Sequence, residues 1–409
     1  MTKKMLSLTR DLVIFTLLQA VTITRAEISY DSRSKSYRHV DDGALTSVPD
    51  DIPDEAKIVD LSRNAIIACP SFPSLSAVST IRFKYNFMTA FPNLTSVSTS
   101  LTYVDLESNR ISSVSEELLS ALTNLEVVLL SYNKLSSLPD VAMPKLRSLG
   151  LSGNLPMKNL PELPKLGRTV KSLNIGHPAM DDISVTSLRS MPKLVYLNMD
   201  GGGQNTTPPV TEANPLLEQL LIPHNVIRTL PEDLFLRLRN LRIVCVSDNL
   251  LETFPDPCHA NYWMVTLQLS DNPFCCDKRL LPLKIGFMSG LVSGEVACLS
   301  PPALVGKSLG AVSFDELKGD PSENQLFITD ASYFIPPVTY RCMKPNITHT
   351  LDEVGLEDCA LWCIQNMDCD GWAYSENAPG ANSGRCGIAI WGKPSVSNTE
   401  NYVRFYLKK

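Results

Sequence analysis

The chain has 409 residues, of which 44% are hydrophobic and 20% are charged, and its formal net charge is −6. This length is enough for two or three domains. The acidic balance argues against nucleic-acid binding, because contacts with phosphate groups need an excess of Lys and Arg. Composition therefore predicts an ordinary globular protein with no nucleic-acid partner.

Residues 1–26 have the layout of a signal peptide. Basic residues precede an apolar run over 12–24, and Thr24 and Ala26 place small residues at the positions that a signal peptidase needs. The alternative is a membrane anchor. That alternative is disfavoured because the run has 13 residues, whereas a spanning helix needs about 20. We expect a secreted, extracellular protein without a membrane span.

A polar segment, residues 27–44, follows the signal peptide and shows no clear periodicity. We expect this start of the mature chain to be disordered or only loosely attached.

A repeated pattern occupies residues 56–271. Its clearest copy, residues 125–138, reads L-x-x-V-x-L-x-x-N-x-L-x-x-L, which is typical of a short strand followed by a tight turn. One copy cannot bury its own apolar face, so it needs neighbours on both sides. Alignment on the asparagine gives ten repeats spaced 21 to 24 residues apart, at Asn64, Asn86, Asn109, Asn133, Asn154, Pro178, Gly202, Asn225, Asn249 and Asn272.

The repeats also predict which side chains form the core. Cys69 occupies an inward position, so we expect a buried thiol that acts as a small apolar group rather than a reactive one. The predicted core includes Val104, Leu106, Ile111, Leu220, Ile222, Ile227, Val244, Val246 and Leu251.

Over residues 45–318 the sequence resembles the extracellular leucine-rich repeat family. The resemblance implies an α/β fold, a leucine-rich repeat solenoid with a curved parallel sheet of about ten repeats. It also implies a lead-in and cap over 27–55 that covers the first strand. The family usually places a cysteine cluster in this cap, and this sequence has none. The first apolar face must therefore be covered without disulfides.

Repeats six and seven depart from the pattern. Pro178 and Gly202 lack the side-chain amide of the other repeats, so buried backbone groups lose hydrogen bonds there. We expect a local soft seam, and the alternative is a functional loop. Glycosylation sequons occur at Asn93, Asn205 and Asn346.

Residues 272–318 resemble the C-terminal cysteine cap of leucine-rich repeat ectodomains. The resemblance implies a bond between Cys276 and Cys298, while the second bridge of the family cap is missing. Cys275 needs another partner, and Cys258, one repeat earlier, is the candidate.

After a linker (319–334), residues 335–409 form a second module. Its cysteine spacing, with a helix pattern followed by two strand patterns at Gly371 and Cys386, resembles a PAN/apple module, a small disulfide-stapled α+β domain. Metal binding by its cysteines is disfavoured because an exported chain oxidises such thiols.

The PAN/apple resemblance implies the pairs Cys359–Cys386 and Cys363–Cys369. Cys342 then has no partner in the module. It is either unpaired or forms a dimer through an intermolecular bond, which agrees with the odd total of 11 cysteines.

The sequence offers no catalytic constellation. Its five histidines have no partner at metal-ligand spacing, and no nucleophile-elbow or phosphate-binding motif is present. We expect no enzymatic activity, no cofactor and no metal.

The strand positions that point away from the core predict a concave ligand-binding face. Tyrosines beside small residues favour a site there, because such rings are good anchors; the alternative is a merely solvated face. Cys245 lies on the same face and is a second candidate for the odd thiol. The predicted ligand-facing residues are Arg82, Tyr85, Tyr103, Asp105, Tyr132, Asn174, His177, Tyr196, Asn198, Asp200 and His224.

These features predict a secreted, non-catalytic recognition protein. Its concave face would bind a protein or glycan in innate immunity or cell-surface interaction, and the last module would add a second contact. The alternative is a structural protein of the extracellular matrix.

Overall fold

The computed structural model describes residues 27–40, 45–177, 180, 183–257, 265–288, 292–313 and 316–317, and the backbone of four strands between 347 and 407. The chain divides into two compact units, residues 1–170 (unit 1) and residues 171–409 (unit 2). Several sequence predictions lie outside the described residues: the signal peptide, Pro178, the linker, Cys258, Cys342, Asn346, Cys359, Cys363 and Cys369.

Unit 1 contains one sheet in which each repeat contributes a three-residue strand. The strands pair in parallel with their neighbours in chain order from β2 to β7, without a shift in register. The strands are β1 (Glu27–Asp31), β2 (Ser36–Val40), β3 (Ile58–Asp60), β4 (Thr80–Arg82), β5 (Tyr103–Asp105), β6 (Val127–Leu129) and β7 (Ser148–Gly150).

The prediction of a disordered start was wrong for the described part of that segment. Strands β1 and β2 form an antiparallel hairpin, and β2 pairs in parallel with β3. The sequence of β2 alternates, so that Tyr37 and His39 are buried while Arg38 is exposed. Burial raises the pKa of Tyr37 to about 12, aided by the nearby Asp51. The hairpin therefore covers the first repeat without a disulfide.

The core of unit 1 has one apolar layer per repeat, as the sequence predicts. Val104, Leu106 and Ile111 are fully buried. Cys69 is 5% exposed, and burial raises the pKa of its thiol to about 12. The prediction of a buried thiol is confirmed, and the raised pKa agrees with low reactivity.

The regular spacing of the asparagines produces a hydrogen-bonded ladder. Nδ2 of Asn133 donates to the carbonyl of Leu106 in the preceding repeat at 2.9 Å and to that of Leu130 in its own repeat at 3.0 Å. Its Oδ1 accepts from the amide of Ile111 at 2.9 Å. The same pattern recurs at Asn86, Asn109 and Asn154. Each side chain thus satisfies backbone groups of two repeats, which would be costly to leave buried and unpaired.

The segments that return between strands are short. Helix α1 (Glu116–Ser120) begins at Ser115, whose side chain accepts from the amide of Leu118. Two 3-10 turns, Thr95–Val97 and Gly167–Thr169, serve other repeats.

Unit 2 continues the same architecture. Its core residues Leu220, Ile222 and Ile227, and Val244, Val246 and Leu251, are buried as predicted. Helices α2 (Val185–Arg189), α3 (Val210–Ala213) and α4 (Leu234–Arg237) occupy the return segments. The strands are β8 (Ser172–Asn174), β9 (Tyr196–Asn198), β10 (Gln219–Leu221), β11 (Ile243–Cys245), β12 (Val265–Gln268) and β13 (Val292–Ser293).

The predicted soft seam at Gly202 is filled by a neighbouring side chain. Gln204, only 3% exposed, donates from Nε2 to the carbonyls of Met180 at 3.1 Å and Gly202 at 3.3 Å. Its backbone amide donates to Oδ1 of Asn225 at 2.9 Å, as the residue two positions after a ladder asparagine does in other repeats. Gln204 thus supplies a side-chain amide next to Gly202, but it bonds to carbonyls other than the two that a ladder asparagine reaches; the Met199 carbonyl accepts from Asn225 at 3.0 Å instead. The hydrogen bonds of a ladder asparagine are therefore replaced only in part at this repeat.

The cap contains the predicted bond between Cys276 and Cys298. Cys275 carries a free thiol, so the structure does not form the predicted bond to Cys258. The Cys275 side chain instead turns towards the next residues, and its Sγ donates to Oδ2 of Asp277 at 3.3 Å.

A buried lysine contacts a later segment of the cap, residues 309–312. Helix α5 (Leu281–Met288) follows a 3-10 turn at Lys278–Leu280 and carries Lys284, which is 3% exposed. Its Nζ donates to the carbonyls of Leu309, Gly310 and Val312, at 3.3, 3.3 and 2.5 Å. Two further 3-10 turns, at Pro302–Leu304 and Leu309–Ala311, complete this segment.

The last four described strands form a separate antiparallel sheet in the order β14–β16–β15–β17. Two of them lie where the PAN/apple resemblance places strands, although β16 begins two residues before Cys386. The remaining features of that module stay predictions. The strands are β14 (Ile347–Val354), β15 (Gly371–Glu376), β16 (Gly384–Ala389) and β17 (Arg404–Leu407).

Candidate functional site: the outer sheet face and its rim

The side of the unit 1 sheet that faces away from the core is a network of opposite charges around a tyrosine. We call it the outer sheet face; it consists of Asp60, Arg82, Lys84, Tyr103, Asp105 and Glu107. The Arg82 guanidinium lies 3.8 Å from the Asp60 carboxylate and 5.8 Å from the centre of the Tyr103 ring. Arg38 of the hairpin approaches the same carboxylate at 4.0 Å.

Asp105 lies at the floor of this face rather than on its surface. It is 6% exposed, which contradicts its prediction as a ligand-facing residue. Burial raises the pKa of its carboxyl, opposed by a hydrogen bond at 3.0 Å from the backbone amide of Glu107. Alternation along the strand gave the correct direction of the side chain, but a short side chain next to Arg82 and Tyr103 does not reach solvent.

Lys84 and Glu107 form the closest ion pair of the face. Nζ lies 2.6 Å from Oε2, and this hydrogen bond raises the pKa of Lys84. The same ammonium lies 5.3 Å from the centre of the Tyr85 ring. The pair is partly shielded from solvent.

The rings of Tyr85 and Tyr132 stand at the rim, where the chain leaves the strands. Both residues directly precede a ladder asparagine, have φ near +56°, and are 50% and 63% exposed. At Gly153, a Cβ atom would lie 2.5 Å from Cδ1 of Tyr132. The Tyr132 ring therefore occupies the space that a side chain at position 153 would need.

In unit 2 the predicted face is less charged along the strands and more acidic at the rim. Tyr196 and Asn198 are half-buried on β9, and burial raises the pKa of Tyr196. Oδ1 of Asn198 accepts from the backbone amide of Asp200 at 3.1 Å. Asp200 and His224 are exposed and contact each other at 2.7 Å, and this hydrogen bond raises the pKa of the imidazole.

Two other residues that the sequence placed on this face, His177 and Cys245, are buried. His177 is 2% exposed, so its prediction as a ligand-facing residue was wrong. It follows Gly176, where a Cβ atom would lie 2.1 Å from the carbonyl oxygen of Asp200, because the two backbones approach closely there. Cys245 is a free thiol but is 7% exposed. Asn174 remains half-buried on β8.

Sequence reasoning missed several residues that shape the site. Asp60 and Arg38 belong to the first repeat and the hairpin, which the sequence did not place beside Arg82. Phe87 and Arg110 directly follow ladder asparagines, and the guanidinium lies 4.5 Å from the centre of the ring. The repeat alignment could have pointed to these positions, because Phe87, Arg110, Lys134 and Leu155 share one place in the repeat, directly after a ladder asparagine, and all four are exposed.

Two of the predicted glycosylation sites fall on described surface. Asn205 is exposed, and Asn93 is partly exposed with its Oδ1 accepting from the Thr95 hydroxyl at 2.7 Å. Modification of these sites stays a prediction.

None of the helices that the structure describes has the length and apolar character needed to cross a bilayer. Within the described part of the chain, no group of three or more His, Cys, Asp or Glu side chains is placed to hold a metal ion.

Comparison with known proteins supports the repeat fold. Residues 99–155 match the family described as "Leucine rich repeat". The human protein "Leucine-rich repeats and immunoglobulin-like domains protein 1" is 26% identical over 162 residues, which cover 38% of this chain. The match spans only 15% of that relative's length.

Two solved structures align with this chain at low sequence identity. A chain of the octameric complex of Latrophilin 3, Unc5D and FLRT2 (LRR) aligns with a TM-score of 0.52 and 20% identity, over 69% of this chain and 96% of that one. The crystal structure of human 5T4, also titled Wnt-activated inhibitory factor 1 or trophoblast glycoprotein, aligns with a TM-score of 0.45 and 17% identity, over 73% of this chain and all of that one. Together with the stacked strands and the asparagine ladder, the family match over residues 99–155 and the FLRT2-containing structure show that the repeats form a leucine-rich repeat solenoid.

Proposed function

We propose that this chain is a secreted, non-catalytic recognition protein that binds an extracellular protein or glycan through the outer sheet face of unit 1. The observation that carries the proposal is the preassembled network of Asp60, Arg82 and Tyr103, joined by the Lys84–Glu107 pair. Side chains that are already fixed by ion pairs and ring contacts lose little conformational freedom on binding.

The chemistry of the face fits recognition better than catalysis. Its cations are held beside carboxylates and aromatic rings, an arrangement that favours complementary charge and stacking contacts with a partner. The similar FLRT2-containing structure is a complex of several proteins, which makes protein binding the favoured form of recognition. The last module would add a second contact and raise avidity.

The test is direct binding of the purified full-length protein to a panel of extracellular proteins and microbial polysaccharides, with and without Arg82→Ala plus Tyr103→Ala. We expect selective binding to at least one panel member and a loss of about tenfold or more in affinity for the double variant, because hot-spot side chains of these types each contribute about 1–2 kcal/mol.

The matched control is Glu126→Ala plus Arg147→Ala, which removes an exposed ion pair of unit 1 with a separation of 3.8 Å. This control should bind like the unaltered protein. Selective binding that the Arg82 and Tyr103 changes leave intact would contradict the outer sheet face as the site. Binding restricted to matrix proteins would favour the structural alternative.

A further inference from the structure

The rim of unit 1 carries an exposed apolar and cationic surface that the outer sheet face does not include. Its side chains directly precede or follow the ladder asparagines of repeats two to five. We call this surface the rim strip; it consists of Tyr85, Phe87, Arg110, Tyr132, Lys134 and Leu155. The two remaining positions of the same kind are a serine and a glycine, Ser108 and Gly153.

We infer that the rim strip is a docking surface for an extended segment of a partner protein that carries both carboxylates and apolar side chains. The inference deepens the proposed function, on which it rests, by naming a further contact surface within unit 1 and the chemistry of its partner.

The exposure of the apolar side chains in the rim strip supports a partner segment with apolar side chains. Phe87, Tyr85, Leu155 and Tyr132 are 42%, 50%, 54% and 63% exposed. Single exposed apolar side chains are common on protein surfaces, but four of them at equivalent positions within repeats two to five favour an interaction site. Aromatic rings with an adjacent arginine are also the composition enriched at the centre of protein interfaces.

The positive charge of the rim strip supports a partner segment with carboxylates. The chain has a net charge of −6, yet the eight positions that precede or follow these asparagines include Arg110 and Lys134 and no acidic residue. Arg110 lies over Phe87 at 4.5 Å from the ring centre. The carboxylate of Glu107, on the adjoining face, is already paired with Lys84. A partner with carboxylates is therefore favoured over a basic one.

The corresponding positions in unit 2 have the opposite character. They include Asp248 and Asp271, and Val226 is their one exposed large apolar side chain among the described residues. The same backbone geometry thus carries two different surfaces, which makes the unit 2 rim an internal control.

The rim strip is also rigid and of suitable length. Its backbone is fixed by the ladder hydrogen bonds on either side, such as that from Leu135 to Asn154 at 3.0 Å. Adjacent strands lie about 4.8 Å apart, so four repeats extend over about 15 Å, which an extended segment covers with about five residues. Binding of a partner to such a surface costs this protein little conformational entropy.

The experiment measures fluorescence anisotropy of three labelled 12-residue peptides with the full-length protein. The first alternates Glu with Leu and Tyr, the second replaces every Glu by Lys, and the third keeps Glu but replaces Leu and Tyr by Ala. We expect the first peptide to bind at least tenfold more tightly than the other two, and added salt to weaken its binding.

Variants then locate the contact. Phe87→Ala plus Leu155→Ala, and separately Arg110→Glu, should each weaken binding of the first peptide by about tenfold. All three side chains are exposed, so these changes leave the core intact. The unit 2 controls Val226→Ala and Arg228→Glu should change affinity by less than about twofold.

Three results would overturn the inference: equal binding of the three peptides, equal effects of the strip and control variants, or preferred binding of heparin that responds to Arg110→Glu but not to the loss of Phe87 and Leu155. The last result would assign the surface to an anionic glycan. A panel ligand that depends on Arg82 and Tyr103 while the peptides fail would leave the proposed function standing and remove the rim strip alone.

Discussion

The contact between His224 and Asp200 links two neighbouring repeats at their exposed rim. The hydrogen bond to Asp200 raises the pKa of His224 above 6.5, and the more distant Asp248 and Asp271 act in the same direction through their charge. The folded state therefore binds the proton more tightly than the unfolded state. The stabilisation is fully present below the unfolded pKa and is lost as the pH rises through the folded pKa.

We predict that NMR titration of His224 gives a pKa above 6.5 and that Asp200→Asn lowers it towards that value. Asp248→Asn serves as the control and should cause a smaller fall, because that carboxylate acts through its charge without a direct hydrogen bond. An unchanged pKa in the Asp200 variant would show that the contact is not formed in solution.

Gln204 shows how one side chain replaces the role of another. Gly202, at the ladder position, has no side-chain amide. The side chain of Gln204, two positions later, donates to the carbonyl of Met180 instead. The repeat alignment could not reveal this contact. It compares residues at the same position of each repeat, whereas here the side chain two positions later makes the hydrogen bond.

We predict that Gln204→Met lowers the free energy of unfolding by about 1–3 kcal/mol, since the change keeps the side-chain length but leaves a buried carbonyl unpaired. Urea unfolding followed by circular dichroism measures the loss. Gln268→Met, at an exposed strand position, should change it by less than about 0.5 kcal/mol. Equal values for the two variants would mean that the Met180 carbonyl finds another donor.

At the scale of elements, the two ends of the repeat array are closed by different means. The hairpin of β1 and β2 covers the first strand through main-chain pairing and the buried Tyr37. The cap is joined by the Cys276–Cys298 bond and by the contacts of Lys284 with three carbonyls. Lys284 thus fastens the segment after Cys298, in a cap from which one expected bridge is missing.

We predict that Lys284→Met destabilises the cap by about 1–3 kcal/mol, because the buried carbonyls of Leu309 and Val312 and the partly buried carbonyl of Gly310 lose a charged donor. Limited proteolysis should then cut first within residues 299–313, and thermal unfolding should begin at a lower temperature. Lys193→Met, an exposed lysine of unit 2, should behave like the unaltered protein. A cap that resists the protease equally in both variants would contradict the fastening role.

The repeat elements were predictable from sequence because their period fixes both the strands and the core. Ile111 and Leu220 are buried where the period places them. The hairpin was not recognised, because five alternating residues become a strand only when an edge is available to pair with. Burial of Asp105 and His177 was missed for a related reason: alternation gives the direction of a side chain, whereas its exposure depends on neighbours from other repeats.

At the scale of the whole array, the asparagine ladder makes neighbouring repeats interdependent. Asn133 bonds to Leu106, Leu130 and Ile111, so its loss removes hydrogen bonds from two repeats at once. In stacked repeats, stability is mainly the sum of each repeat and its contacts with its neighbours.

We predict that Asn133→Ala speeds hydrogen exchange in repeats three and four of unit 1, corresponding to a loss of about 1–3 kcal/mol, with much less change around Asn64. Hydrogen-exchange mass spectrometry measures this profile. Asn124→Ala, whose side chain bonds the carbonyl of Thr99 at the surface at 3.0 Å, is the control. A uniform increase over all of unit 1 would show that its repeats unfold together.

The ladder also limits how the length of such a protein can change during evolution. Each amide reaches one carbonyl in its own repeat and one in the repeat before it, as Asn109 does with Leu106 and Phe83. Duplication or deletion of a complete segment of 21 to 24 residues restores every bond. A partial segment would bring each amide against the wrong carbonyl, so heritable changes in the extent of the binding surfaces are expected to occur in whole-repeat steps.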